Sequence, residues 1–158
     1  MPPAPPAAVV LLVQPDADSR EMYAEFLSYH GFLPVSASNA RDGLTAAPNA
    51  DVIVTGLLLP GDMDGIEFIV RLKGNERTKR IPVIVVTACA WKSDRERAEE
   101  AGCDVFKPKP CLPDDLLRAV RRLLAASKLR ATRAVSARAN LPNEAPIRRE
   151  RAADLKRG

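Results

Sequence analysis

VIVTGLLLPGDMDG, Val52 to Gly65, opens as a strand and closes as a turn. Val52, Ile53, Val54 and Thr55 are β-branched, with none of the polar alternation of a half-solvated strand, so the segment reads as covered on both faces. Gly56 stands at the strand's exit, followed by three leucines, Pro60 and the pair Asp64-Gly65. Asp64 can cap a helix and Asp62 a turn. The helix then runs over 65–73, with Ile66, Ile69, Val70 and Leu72 at helical spacing and Gly74 closing it.

The same alternation repeats on either side. Ala8–Val13 is a second short apolar run, and Asp16 or Asp18 can cap the helix that places Met22, Tyr23, Phe26 and Leu27 on one face and stops at Gly31. Phe32–Ala37 is a strand, and Asn39 caps a short helix reaching Ala47. Ile81–Val86 is a further buried strand, and Ser93 or Asp94 opens the helix that ends at Gly102. Val105–Lys107 is a brief last strand. Pro113, with Asp114 and Asp115 behind it, starts a helix burying Leu116, Leu117, Val120, Leu123 and Leu124. Five strands alternating with five helices predict a three-layer α/β/α fold on a parallel sheet.

Composition divides the chain. Hydrophobic residues make up 46% and charged residues 28%, ordinary values for a globular protein, and no apolar run is long enough to span a bilayer. The opening MPPAPPAAVVLLV lacks the basic start and small-residue cleavage site of a signal peptide, so a cytoplasmic location is expected. The net charge of +4 is uneven: residues 1–124 carry 15 basic against 17 acidic side chains, and residues 125–158 carry 9 against 3. The expected organisation is a flexible segment over 1–7, a folded domain over 8–125 and a basic tail over 126–158, disordered or an extended helix. That tail raises nucleic-acid binding as a rival function, but no aromatic interleaving or zinc pattern accompanies it, and a solvated tail is the preferred reading. Cys89, Cys103 and Cys111 have no metal-type spacing and read as buried thiols, with a redox role for Cys89 or Cys111 the minor alternative.

In an open parallel sheet, ligands bind beyond the carboxyl ends of the strands. That rule selects Gln14-Pro15-Asp16, Gly56, Thr87-Ala88 and Lys109-Pro110. With VLLV before Gln14, LPGDMDG after the third strand, IPVIVVTA around the fourth and K-P after the fifth, the chain resembles the receiver domain of two-component response regulators over about residues 9–124. The resemblance implies a flavodoxin-like sheet ordered 2-1-3-4-5 and transfer of a phosphoryl group from a histidine kinase to an aspartate at the third strand's exit. It also implies a magnesium ion held partly by two acids after the first strand.

Carried onto this chain, the resemblance matches Thr87 as the phosphoryl-binding hydroxyl, Lys109 as the contacting ammonium, Phe106 as the aromatic switch position and Lys109-Pro110 as a cis peptide. The acidic pair falls on Gln14 and Pro15, and the phosphoacceptor position falls on Gly56. Glycine offers no nucleophile, and without carboxylates a magnesium ion loses its usual ligands. The expectation is therefore a non-enzymatic, cofactor-free receiver-like module that does not bind magnesium and acts through protein contacts. Its expected partners are a histidine kinase or downstream effector, with a second copy as a further one. Phosphorylation on a substitute acid, Asp62 or Asp16, is the alternative. Asp16 is the sole acid left beside the first strand, and Lys109 is expected to pair with it or a loop acid, or to turn to solvent. Trp91 either covers a gap in the core or serves as a docking aromatic.

Overall fold

The computed structural model describes residues 6–139, with side-chain surroundings given as far as residue 137. In chain order the elements are β1 (Val9–Val13), α1 (Ala17–Tyr29), β2 (Leu33–Ala37), α2 (Ala40–Ala46), a 3-10 turn (Ala47–Asn49), β3 (Val52–Thr55) and α3 (Gly65–Lys73). They continue as β4 (Val83–Thr87), α4 (Lys92–Ala101), β5 (Val105–Pro108) and α5 (Pro113–Ala139). The five strands form one parallel sheet in the order β2-β1-β3-β4-β5, as the resemblance implied. Register pairs Val13 with Thr55, Thr55 with Val85 and Thr87 with Pro108, so the exits of β1, β3, β4 and β5 line up along one edge.

The central strands carry the core because their side chains pack on both faces. Leu11, Val13, Ile53, Val83 and Val85 meet Phe68, Ile69 and Leu72 of α3 and Ala98 of α4 on one face. Val10, Leu12, Val52, Val54, Ile84 and Val86 meet Tyr23 and Leu27 of α1 and Leu116, Leu117 and Val120 of α5 on the other. Each such Leu, Ile or Val that goes from water to full burial contributes about 2 kcal/mol, which is why the unbroken apolar runs end up central. β2 is the edge strand, and it leaves Leu33 and Val35 exposed.

Helix ends follow local chemistry. Asp16 caps α1 and Asn39 caps α2. His30 closes α1 with its ring Nδ1 2.9 Å from the carbonyl of Phe26. At α4 the expected cap moves: Trp91, not Ser93 or Asp94, is the N-cap. Asp94 lies one turn inside and reaches back, its Oδ2 accepting from the Trp91 backbone N–H at 3.1 Å.

The chain divides into two units, Met1–Leu124 and Ala125–Gly158. Of the two forms expected for the basic tail, disordered or an extended helix, its first part takes the second, since α5 runs on to Ala139. The rest of that tail, and most of the N-terminal segment, lie outside the described residues. Among the described residues no helix is long and apolar enough to cross a membrane.

Candidate functional site

The parallel sheet gathers the four sequence-selected patches on its carboxyl edge, but the side chains there hold one another in place. Gln14, the first residue beyond β1, is fully buried. Its backbone N–H donates to Ala37 O at 3.2 Å, its side-chain Nε2 donates to Val86 O at 3.2 Å, and its own carbonyl accepts from the Arg20 guanidinium at 2.6 Å. Because β3 lies between β1 and β4, the amide of Gln14 reaches across the exit of β3 to bind β4. Gln14 Oε1 is buried with no hydrogen-bond partner among the described residues.

Gly56 lies beneath that crossing. Its N–H donates to Val13 O at 2.9 Å, and its carbonyl accepts from Thr55 Oγ1 at 2.9 Å. A Cβ at this position would sit 3.4 Å from Pro15 Cδ, 3.7 Å from Val86 O and 3.8 Å from Gln14 Nε2, all ordinary contacts. Its φ is not positive either, since the glycines with positive φ are Gly31, Gly61 and Gly102. Neither space nor backbone conformation requires glycine here.

The nearby acids are engaged in structural work. Asp16 accepts from the backbone N–H groups of Asp18 and Ser19 at 3.3 and 3.1 Å and from Ser19 Oγ at 2.7 Å. The Ser19 hydroxyl, more than anything else, holds the Asp16 carboxyl below its usual range. Asp62 is held by Arg41 through both carboxylate oxygens, with Arg41 Nε donating to Oδ1 at 3.1 Å and Nη2 to Oδ2. That guanidinium lowers the Asp62 pKa by hydrogen bonding first and charge second. Asp64 caps α3 by accepting from Glu67 N–H at 2.9 Å. Asp51 is at the other end of β3, accepting from Val9 N–H at 2.7 Å.

Thr87 is buried, and its Oγ1 accepts from Cys89 N–H at 3.1 Å, so the hydroxyl pins the turn leaving β4. Lys109 is half-buried, and its backbone N–H donates to Thr87 O at 2.8 Å. The Lys109 side chain makes no hydrogen bond or ion pair among the described residues, so of the two expected alternatives the pairing with an acid is the one not made. Its charge reaches Asp16 only as the smallest of the influences there. Lys109 lines a shallow groove with Ser19, Met22, Tyr23, Pro110 and Cys111, and the Lys109-Pro110 peptide is cis. Phe106 is buried, with the Arg95 guanidinium 5.1 Å from its ring centroid, a cation–π contact.

These donors do not fit a magnesium ion. Gln14 turns its amide nitrogen to a carbonyl, Pro15 and Gly56 bring no side-chain oxygen, and Asp16 spends both its oxygens on the α1 cap. The thiols are held toward their protonated form. Cys103 is pushed up to about 11, mainly by burial; the hydrogen bond to Asp94 raises Cys89, and burial raises Cys111.

Trp91 covers no core gap: it is 77% exposed. Two further large apolar residues on the same edge escaped the sequence reading. Leu58 follows β3 at 69% exposure and Leu112 follows β5 at 63%. Nothing in the run Leu57–Leu59 marks which leucine faces out, because Leu57 is buried and Leu58 is not. The Gln14 crossing and the Arg41–Asp62 pair were also missed, since both join residues distant in sequence.

Comparison with known proteins agrees with the fold. The family model described as the response regulator receiver domain matches residues 10–121. The phosphate regulon transcriptional regulatory protein PhoB of Escherichia coli (strain K12) is 34% identical over 117 residues, covering 73% of this chain and 51% of that protein. The response regulator Rre1 of Synechocystis is 32% identical over 119 residues, with 73% and 51% covered. The chain thus spans about half the length of these curated relatives. Among solved structures, the signal receiver domain of a signal transduction histidine kinase from Syntrophus aciditrophicus superposes with a TM-score of 0.70 at 30% identity, covering 76% of this chain and 92% of that one. The chemotaxis protein CheY4 of Vibrio cholerae gives 0.69 at 25% identity, covering 74% and 98%.

Proposed function

The chain belongs to the response regulator receiver domain family, and from that premise we propose a signalling module that acts through protein contacts and is not switched by an acyl phosphate at the exit of β3. One observation carries the proposal. Gly56 occupies the position where the family presents its aspartate, yet neither its φ nor its surroundings require glycine. The substitution therefore removes a nucleophile without serving the backbone.

The surrounding residues support the same reading. Gln14 closes over Gly56 and ties β1 to β4. Asp16 and Asp64 cap helices and Asp62 is clamped by Arg41, so a substitute acceptor must first abandon a structural bond. Protein contact has candidates on the same edge, where Leu58, Trp91 and Leu112 are exposed after three successive strands of the sheet. Tryptophan is enriched at the centres of protein interfaces, and leucines around it add apolar area. The partner class is a histidine kinase, a downstream effector or a second copy. The module is not itself an enzyme.

The test is a small acyl-phosphate donor with magnesium, followed by intact-mass measurement of the chain. The expected result is the unmodified mass. A stoichiometric phosphate adduct would overturn the proposal, and its loss in Asp62→Asn or Asp16→Asn would identify the substitute acid.

A further inference from the structure

The second unit opens inside α5. From Ala125 to Ala139 the helix reads AASKLRATRAVSARA, and its only charged residues are Lys128, Arg130, Arg133 and Arg138. No acid occurs between Asp115 and Glu144. Every side chain from Lys128 to Ala137 is exposed. None of Lys128, Arg130 and Arg133 has an acidic partner among the described residues; the one polar contact is Arg130 Nη2 to Ser127 Oγ at 3.4 Å.

The form of this segment narrows what can bind it. At about 100° per residue, Lys128, Arg130 and Arg133 spread over roughly 200° of the helix circumference, and Arg138 adds a fourth charge to the same helix. Leu129 and Val135 are its only large apolar residues, and they lie roughly 120° apart around the axis. A helix that lies in a membrane surface needs a continuous apolar half with bulky residues, and this one has none. A protein interface needs a clustered aromatic or aliphatic anchor; the segment has no aromatic residue, and its two aliphatic ones, Leu129 and Val135, stand on different faces. Alanine at six of the fifteen positions favours the helix, but a segment this short is marginal alone in water, so a ligand that neutralises its charges also stabilises its shape.

Phosphates on both walls of a duplex major groove, about 12 Å wide, match a slim helix with positive charge around more than half of its surface. Between the bases stand Ala, Ser, Thr, Leu and Val, with no Asn or Gln to read base edges. We propose that the helix Ala125–Ala139 is a sequence-independent contact for the phosphodiester backbone of duplex nucleic acid. The proposal stands apart from the reading of Gly56, because none of its residues belongs to the sheet edge.

The experiment uses the full chain and a fluorescein-labelled duplex of about 20 base pairs with arbitrary sequence, followed by anisotropy between about 50 and 200 mM salt. Binding is expected at low salt, independent of sequence, and falling steeply with salt. Replacing Lys128, Arg130 and Arg133 together by Gln is expected to lower the magnitude of the log–log salt slope by about 2.7, at roughly 0.9 per lost phosphate contact. It should also weaken binding at least about tenfold at the lower salt. Circular dichroism of the variant checks that the sheet domain is intact. Absence of binding at 50 mM salt, or a slope unchanged in the triple variant, overturns the proposal. So does partition onto anionic phosphatidylserine vesicles without retention of the duplex.

Discussion

Gly56 and Gly65 stand at the two ends of one loop, and glycine answers to a different demand at each. At Gly65 the demand is steric: a Cβ would overlap the carbonyl oxygen of Gly56 and come within 2.6 Å of Leu57 Cα. The close approach lets Gly65 N–H donate to Leu57 O at 2.8 Å, folding the loop back so that Asp64 can cap α3. At Gly56 a Cβ meets only ordinary contacts and the backbone is unstrained. The two look alike in sequence, but packing requires glycine at one and neither packing nor backbone requires it at the other, which is the ground of the proposed loss of phosphorylation. The difference teaches that a glycine where a family usually carries a reactive side chain becomes informative once the backbone is shown not to need it.

The largest effect that would sharpen the comparison is Gly65→Ala. The clash is with backbone, which cannot rotate aside, so destabilisation of about 3 kcal/mol is expected. For a folded unit of this size that corresponds to a fall in Tm of roughly 10 °C. Thermal unfolding followed by circular dichroism checks it. A loss below about 1 kcal/mol would mean the loop yields, and the contrast with Gly56 would fail.

A middle effect is expected at Gln14. Its side chain is fully buried and makes one hydrogen bond across the sheet edge, so Gln14→Ala deletes packing and leaves Val86 O without that donor. The expected cost is about 2 kcal/mol by urea denaturation, less than for a buried leucine because the unpaired Oε1 goes too. Since a Cβ at residue 56 would touch Gln14 Nε2 at 3.8 Å, this substitution and one at Gly56 should also be non-additive. Strict additivity would mean that the amide does not close over Gly56.

Much of this was legible in the chain and some was not, for definite reasons. The helix over 65–73 has the predicted limits because Asp64 and Gly74 supply both ends locally. The strand order followed from a resemblance carried by short motifs, and the sheet bears it out. The α4 cap was misplaced because Ser93 and Asp94 have capping side chains, whereas Trp91 caps through its backbone position while Asp94 reaches back to it. The end of α5 stays open in the sequence, between a disordered tail and an extended helix, because no Gly or Pro marks it and the core-facing leucines stop at Leu124. At the site, the identities of Gln14, Pro15 and Gly56 were plain. That Gln14 bridges to Val86 depends on where the β4 backbone lies, which local sequence does not encode.

The smallest expected effect bears hardest on the comparison. Gly56→Ala adds a methyl group into contacts of 3.4 to 3.8 Å and leaves the backbone in a conformation open to any L-residue. Alanine also narrows the unfolded ensemble, so the substitution should stabilise the chain by about 0.4 to 1 kcal/mol. The sign matters more than the size, because Gly65→Ala moves the other way through the same chemical change. Equilibrium unfolding in urea resolves it, with the midpoint rising and the slope unchanged. A midpoint that falls instead would show that residue 56 is glycine for the fold's sake. The absence of a nucleophile there would then no longer point to a lost activity.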